Sequence, residues 1–123
     1  MEFQSSSGRL VITQWRDDLS PARRALFDMY MDRYSKLSEW DTGWHKPLTN
    51  HKGCSELRFK AEKVQHRILG YIASPKCFAM LVGCTHKQKV YDPPSAFDTL
   101  DDRKSKIARG EGALVAYKLE PIA

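Results

Sequence analysis

Cys54–Thr85 reads CSELRFKAEKVQHRILGYIASPKCFAMLVGCT, and the fold turns on this stretch. It holds three runs rich in β-formers, Cys54–Lys60, Val64–Ala73 and Cys77–Thr85, parted by Ala61-Glu62-Lys63 and Ser74-Pro75-Lys76. Spacers this short suit hairpins, so an antiparallel meander is expected. In the first run Glu56, Arg58 and Lys60 alternate with Leu57 and Phe59. Period two sends the three charges to one face and the apolar pair to the other. The third run is apolar on both faces, as a central, doubly covered strand should be.

Upstream, Arg9–Trp15 (RLVITQW) reads as a short strand, preceded by a polar segment, residues 1–8, expected to be flexible. Ser20-Pro21 is a strong helix start, because Ser caps orphan amides and Pro fits the first helical position. From Pro21 to about Leu37, apolar groups at Ala22, Ala25, Leu26, Met29, Tyr30, Tyr34 and Leu37 keep helical spacing. Glu39–His51 contains Gly43 and Pro47 and reads as a loop or short turn, with Trp40 and Trp44 placed to clamp the helix onto the sheet. Downstream, His86–Asp92 leads to Pro93-Pro94 and a helical pattern to about Arg109, with Ala96, Leu100 and Ile107 inward. Gly110 and Gly112 end it. Ala113–Leu119 suits a further strand or a partner-docking segment, within a C-terminal extension over residues 113–123. The order β-α-β-β-β-α implies an α+β fold: one domain over residues 1–123, a curled antiparallel sheet with helices on one side.

Composition narrows the class. At 123 residues, 41% hydrophobic and 28% charged, the chain is globular rather than disordered. No apolar run approaches a membrane span, and Met1–Gly8 has no apolar region of a secretory signal. Three cysteines, Cys54, Cys77 and Cys84, fit free thiols in a reducing compartment, so a cytoplasmic location is expected. The net charge of +5 is concentrated: residues 54–91 carry seven basic side chains against Glu56 and Glu62. Such a local excess is either a footprint for a polyanion or a solvated sheet face.

The candidate chemistry lies on the charged face. Arg67 sits in the strand beside Arg58 and Lys60, and His86, Lys87, Lys89 and Tyr91 form a polar cluster at the far end of the meander. A curled sheet would bring the two groups into one cationic groove that grips phosphates and offers titratable groups. The plainer readings are an ion pair of the arginines with Glu56 or Glu62, a solvated turn at Lys87 and Lys89, and a Tyr91 packed on the last helix. His66 precedes Arg67 and so points to the opposite face, as a packed or hydrogen-bonded histidine. His51-x2-Cys54 and Cys84-x-His86 match no standard zinc spacing, so no metal is expected. No third group positions a Cys/His nucleophile. Trp40 and Trp44 suit core plugs better than base-stacking platforms.

Four segments carry a resemblance: Lys46-Pro47-Leu48, Ser55-Glu56-Leu57-Arg58-Phe59, His66-Arg67-Ile68-Leu69-Gly70, and Leu81-Val82-Gly83-Cys84-Thr85-His86-Lys87. In this order, over roughly residues 46–109, they resemble the RelE/HigB-like toxin superfamily, more narrowly its phage-derived branch. The resemblance implies a RelE-like fold and the toxin of a type II toxin–antitoxin pair. It also implies an endoribonuclease that cleaves mRNA, usually on the ribosome, without metal or cofactor, and a cognate antitoxin as partner. The ribose 2′-hydroxyl would attack the adjacent phosphate, which needs a base, an acid and cations for the developing charge. On that footing Arg67, His86, Lys87 and Tyr91 would be catalytic, and Arg58, Lys60 and Lys89 would bind phosphate. The chain departs from the family pattern at His66, where a Tyr is common, and at His86-Lys87, where a Lys pair is common. Histidine titrates near neutrality, so His86 is suited to proton transfer. The competing functions are a non-catalytic RNA- or protein-binding module on the same fold and a phage morphogenetic protein with a basic face.

Overall fold

The computed structural model describes residues 1–36, 45–74 and 77–119. Trp40, Trp44 and the proposed Pro75-Lys76 turn lie outside them. The elements are β1 (Glu2–Ser5), α1 (Val11–Asp17), α2 (Pro21–Ser35), β2 (His45–Pro47), β3 (Ser55–Ala61), β4 (Val64–Ser74), β5 (Cys77–Lys87), β6 (Val90–Asp92), α3 (Ala96–Ala108) and β7 (Gly112–Val115). Among the described residues one mixed sheet runs β2-β3-β4-β5-β1-β7, with β6 on the C-terminal half of β5. The expected meander is β3-β4-β5, antiparallel throughout. The pairing of β1 with β5 is parallel, so the sheet is not wholly antiparallel as expected.

Two of the hairpin tips use two residues in the left-handed region: Glu62-Lys63 between β3 and β4, and Gln88-Lys89 between β5 and β6. This backbone matches the right-handed twist of the flanking strands and sets the register. Arg58 therefore stands opposite Arg67, and Arg67 opposite Cys84. One step along, Lys60 faces Gln65, Gln65 faces His86, and His86 faces Tyr91.

Two expectations at the N-terminus are corrected. Residues 1–8 are not a loose leader: Glu2–Ser5 is a strand between β5 and β7, with Glu2 and Phe3 buried. Arg9–Trp15 is not a strand: Leu10 makes an isolated bridge to Gln4 and is the N-cap of α1, which takes Val11 onward. Its apolar residues Val11, Ile12 and Trp15 keep helical as well as strand spacing, and a distant carboxylate decides between them. Glu2 accepts hydrogen bonds from the backbone N–H of Ile12 (3.0 Å) and Thr13 (2.8 Å) and from the Thr13 hydroxyl (2.6 Å). A helix start otherwise leaves such amides unpaired, and an anion there also suits the helix dipole.

In α2, Ser20 caps the backbone N–H of Arg23 as its sequence implies. The inward stripe is rotated from the expected one: Phe27, Met31 and Tyr34 are buried, while Ala22, Ala25 and Met29 are exposed. The larger rings and the longer thioether remove more apolar surface from water, so they take the core. Asp28, expected on the wet side, is held by Arg16 through two bonds of 2.6 Å.

The helices cover both faces of the sheet rather than one. On one face Trp15 of α1 and Phe27 of α2 pack edge-on against each other, and both meet Phe59 of β3. Trp15 comes so close to β5 that a Cβ on Gly83 would lie 2.2 Å from its ring. On the other face α3 buries Ala96 and Leu100 and sets Arg103 over the Phe3 ring. The apolar character of β5 on both sides demands this second cover. Ala113–Val115 joins the sheet as part of β7, beside β1, and Tyr117 beyond it meets Phe27 edge-on.

Candidate active site

The α3 face of the sheet carries the charges. Alternation along β3 puts Glu56, Arg58 and Lys60 there, and pairing with β4 and β5 adds Arg67 and His86. Two arginines directly across a strand pair repel each other unless an anion lies between them. Glu56 is that anion. Its Oε1 accepts from Arg58 Nε at 3.0 Å and Nη2 at 2.9 Å. Its Oε2 accepts from the Tyr91 hydroxyl at 3.1 Å and stands 3.6 Å from Arg67 Nε, within ion-pair range but too far for a hydrogen bond.

Glu56 is 3% exposed and Arg67 5%. A guanidinium stays charged in a protein, so burying Arg67 is tolerable only beside this carboxylate. Two guanidiniums against one carboxylate leave an excess positive charge. Among the described residues, Arg67 Nε and Nη1 have no hydrogen-bond partner, and Nη2 lies 3.4 Å from His86 Nδ1. A buried guanidinium with donors to spare is a ready anion ligand.

A row of rings adjoins these charges. His86 stacks on Tyr91 with centroids 4.4 Å apart, Tyr91 meets Phe97 edge-on at 4.6 Å, and Phe97 stacks on His51 at 4.7 Å. These rings, the Glu56–Arg58–Arg67 cluster and the Lys46–His51 segment together line a cleft of about 420 Å³. Burial and the neighbouring Glu56 raise the Tyr91 pKa, so its phenol stays neutral and donates to that carboxylate. Burial also pushes the Cys84 thiol up to about 12, which makes it a packing residue rather than a nucleophile.

Arg58, Arg67, His86 and Tyr91, all expected in the site, line this cleft together. Lys60 lies on the same face but at its exposed outer end. Lys87 follows His86 in the strand and does not line this cleft; it borders a second opening with Arg67 and His86 and a third with Arg23 and Thr85. Lys89 sits in the exposed β5–β6 turn. Two arginines, a histidine and a tyrosine of the expected groove thus line one cleft, while Lys60 and Lys89 are exposed and Lys87 borders a second opening shared with Arg67 and His86. His66 takes the opposite face as expected, stacked on Phe59 at 4.7 Å, with its Nδ1 3.1 Å from the Val64 carbonyl.

Sequence reasoning named Glu56 only as a possible ion-pair partner, although the same alternation that placed Arg58 placed it there. His51 was weighed only as a zinc ligand; its Nδ1 instead lies 3.1 Å from Asp101 Oδ1. Phe97 and Asp101 had no local signal, since only the packing of α3 brings them to the cleft. Among the described residues no three His, Cys, Asp or Glu side chains converge as metal ligands, and no helix is long and apolar enough to cross a membrane. Comparison of the chain with protein-family models, with curated proteins and with solved structures finds no match.

Proposed function

We propose that this protein is the toxin of a type II toxin–antitoxin pair, a RelE-like, metal-independent endoribonuclease that cleaves mRNA held on the ribosome. One observation carries the reading: a buried, under-partnered Arg67 faces a cleft that also holds Arg58, His86 and Tyr91. The order of a strand, helices, an antiparallel meander and a last helix supports it, as does the sequence resemblance.

The reaction needs its groups on the RNA phosphate. Arg67 and Arg58 bind the non-bridging oxygens and stabilise the charge that grows as phosphorus becomes five-coordinate. His86 takes the proton of the ribose 2′-hydroxyl as the 2′-oxygen–phosphorus bond forms. The bond to the 5′-oxygen then breaks, leaving a 2′,3′-cyclic phosphate on one product, and the 5′-oxygen takes up a proton. Tyr91 stacks on the imidazole and fixes its plane, and Glu56 holds both arginines in register. A cognate antitoxin, acting in the cytoplasm, would neutralise the protein by covering this cleft.

Glu56 also favours a second reading. Its negative charge opposes the charge that grows on a five-coordinate phosphorus, whereas the donors left on Arg67 still suit binding of RNA without cutting it. Induction in a bacterium and cleavage of mRNA on translating ribosomes separate the two. The wild-type protein is expected to arrest growth and to leave 2′,3′-cyclic phosphate ends. Arg67→Ala, confirmed folded, is expected to relieve the arrest and slow cleavage by about 10²-fold or more. Intact transcripts beside salt-sensitive RNA binding would establish the binding module instead.

A further inference from the structure

The scheme above gives the 2′-hydroxyl proton an acceptor but leaves the 5′-oxygen without a protein donor. Tyr91 is ill suited, because its hydroxyl is committed to Glu56 and burial keeps its pKa up. Lys87 does not line this cleft; it borders a separate opening on the His86 side, next to the base rather than across from it. In-line displacement sets the attacking and leaving oxygens on opposite sides of phosphorus, so base and acid must approach from opposite sides.

We propose that His51, oriented by Asp101, is the general acid of this cleft, paired with His86 as base. The proposal rests on the ribonuclease reading above. His51 and His86 stand at the two ends of the aromatic row, one on the segment before β3 and the other on β5. The placement of His51 is built by one face of α3. Phe97 and Asp101, four residues apart, stack on its ring and bond its Nδ1, at 4.7 Å and 3.1 Å respectively. Lys104, one turn further on, ties the same segment down through the Lys52 carbonyl (3.3 Å) and the Cys54 sulfur (3.8 Å). Gly53, at φ +80°, makes the turn that presents the histidine.

With Nδ1 donating to Asp101, the tautomer is set and Nε2 is the nitrogen left to exchange a proton with a bound group. The charged groups around His51 are Asp101 and Lys104 on α3 and the adjacent Lys52, with Lys46 of β2 and the Glu56–Arg58 pair of β3 lining the same cleft. In the step, His51 enters as imidazolium and gives its Nε2 proton to the 5′-oxygen as the phosphorus–oxygen bond breaks. His86 leaves with the 2′-hydroxyl proton. Solvent returns both to their starting states, so protons balance over one turnover.

The test uses the full chain, ribosome-bound mRNA and a leaving-group substitution. His51→Gln is expected to lower kcat by about 10²-fold with KM unchanged and to remove the alkaline limb of the pH–rate profile. Asp101→Asn, a positioning change, is expected to lower kcat by about tenfold while keeping that limb. A substrate whose 5′-oxygen at the cut is replaced by sulfur leaves without a proton. It is expected to restore His51→Gln to wild-type rate and not His86→Gln. A His51→Gln enzyme that cuts normally, or whose defect persists with the sulfur substrate, overturns the proposal. If the wild-type protein cuts no RNA, the ribonuclease reading falls by itself. Inorganic phosphate then decides the two-histidine site, by nuclear magnetic resonance of the imidazole protons. Shifts at both His51 and His86 uphold the site, and an unmoved His51 overturns it.

Discussion

His66 and Arg67 are neighbours in β4, both almost wholly buried, and burial acts on them in opposite ways. Arg67 cannot shed its charge, so the fold sets it beside the Glu56 carboxylate. His66 sheds its charge instead: burial against Phe59 and Trp15 lowers its pKa. A histidine with a folded pKa below its unfolded value near 6.5 costs nothing while both states are neutral. As pH falls below that value the unfolded chain takes up a proton that the folded chain refuses, so stability declines until the folded pKa is reached. His45, also buried with a lowered pKa, adds to the same window. His66→Phe keeps the stacked ring and removes the titration. Melting temperatures between pH 7 and pH 5 should fall less steeply in that variant than in the wild type. An unchanged slope would place the titration elsewhere. The faces of both residues were legible from parity alone, whereas the carboxylate shared between two arginines required the register.

Among the elements, α1 and β5 fit each other through an absent side chain. At Gly83 of β5 the Trp15 ring occupies the space that a Cβ would take. Gly83→Ala should lower stability by about 1–3 kcal/mol, measured by urea unfolding, because the new methyl group overpacks the α1 interface. A neutral result would mean that α1 can lift from the sheet at no cost. The segment that forms α1 was misread because RLVITQW is rich in β-branched residues, whose preference for strands is weak and yields to context. That context is Glu2, nine residues before Val11, capping the helix from β1. By contrast Ser20-Pro21 carried its own cap, and α2 starts where its sequence implies. The second helical layer was foreshadowed as well: a strand apolar on both faces needs cover on both, and α3 provides it.

Over the whole molecule, the excess charge of residues 54–91 divides into two populations. Arg58 and Arg67 line the cleft with Glu56, while Lys60 and Lys89 stand exposed around it. On the proposed ribonuclease or RNA-binding reading, binding of single-stranded RNA should therefore weaken steeply between about 50 and 200 mM salt. Removing Lys60 or Lys89 by alanine should reduce the slope of log affinity against log salt by about one each, with little change in cleavage of bound RNA. A slope unchanged in both variants would confine RNA to the cleft. Local sequence was sufficient wherever a residue's neighbours in space are its neighbours in the chain: the meander, its two-faced alternation, the cap of α2 and the concentration of charge. Tertiary structure alone decided the rest. The strand at the N-terminus, the helical state of Val11–Asp17 and the meeting of His51 with Asp101 all depend on partners brought from a distance. Their energies come from burial and hydrogen bonds that exist only once the sheet has closed between its two helical layers.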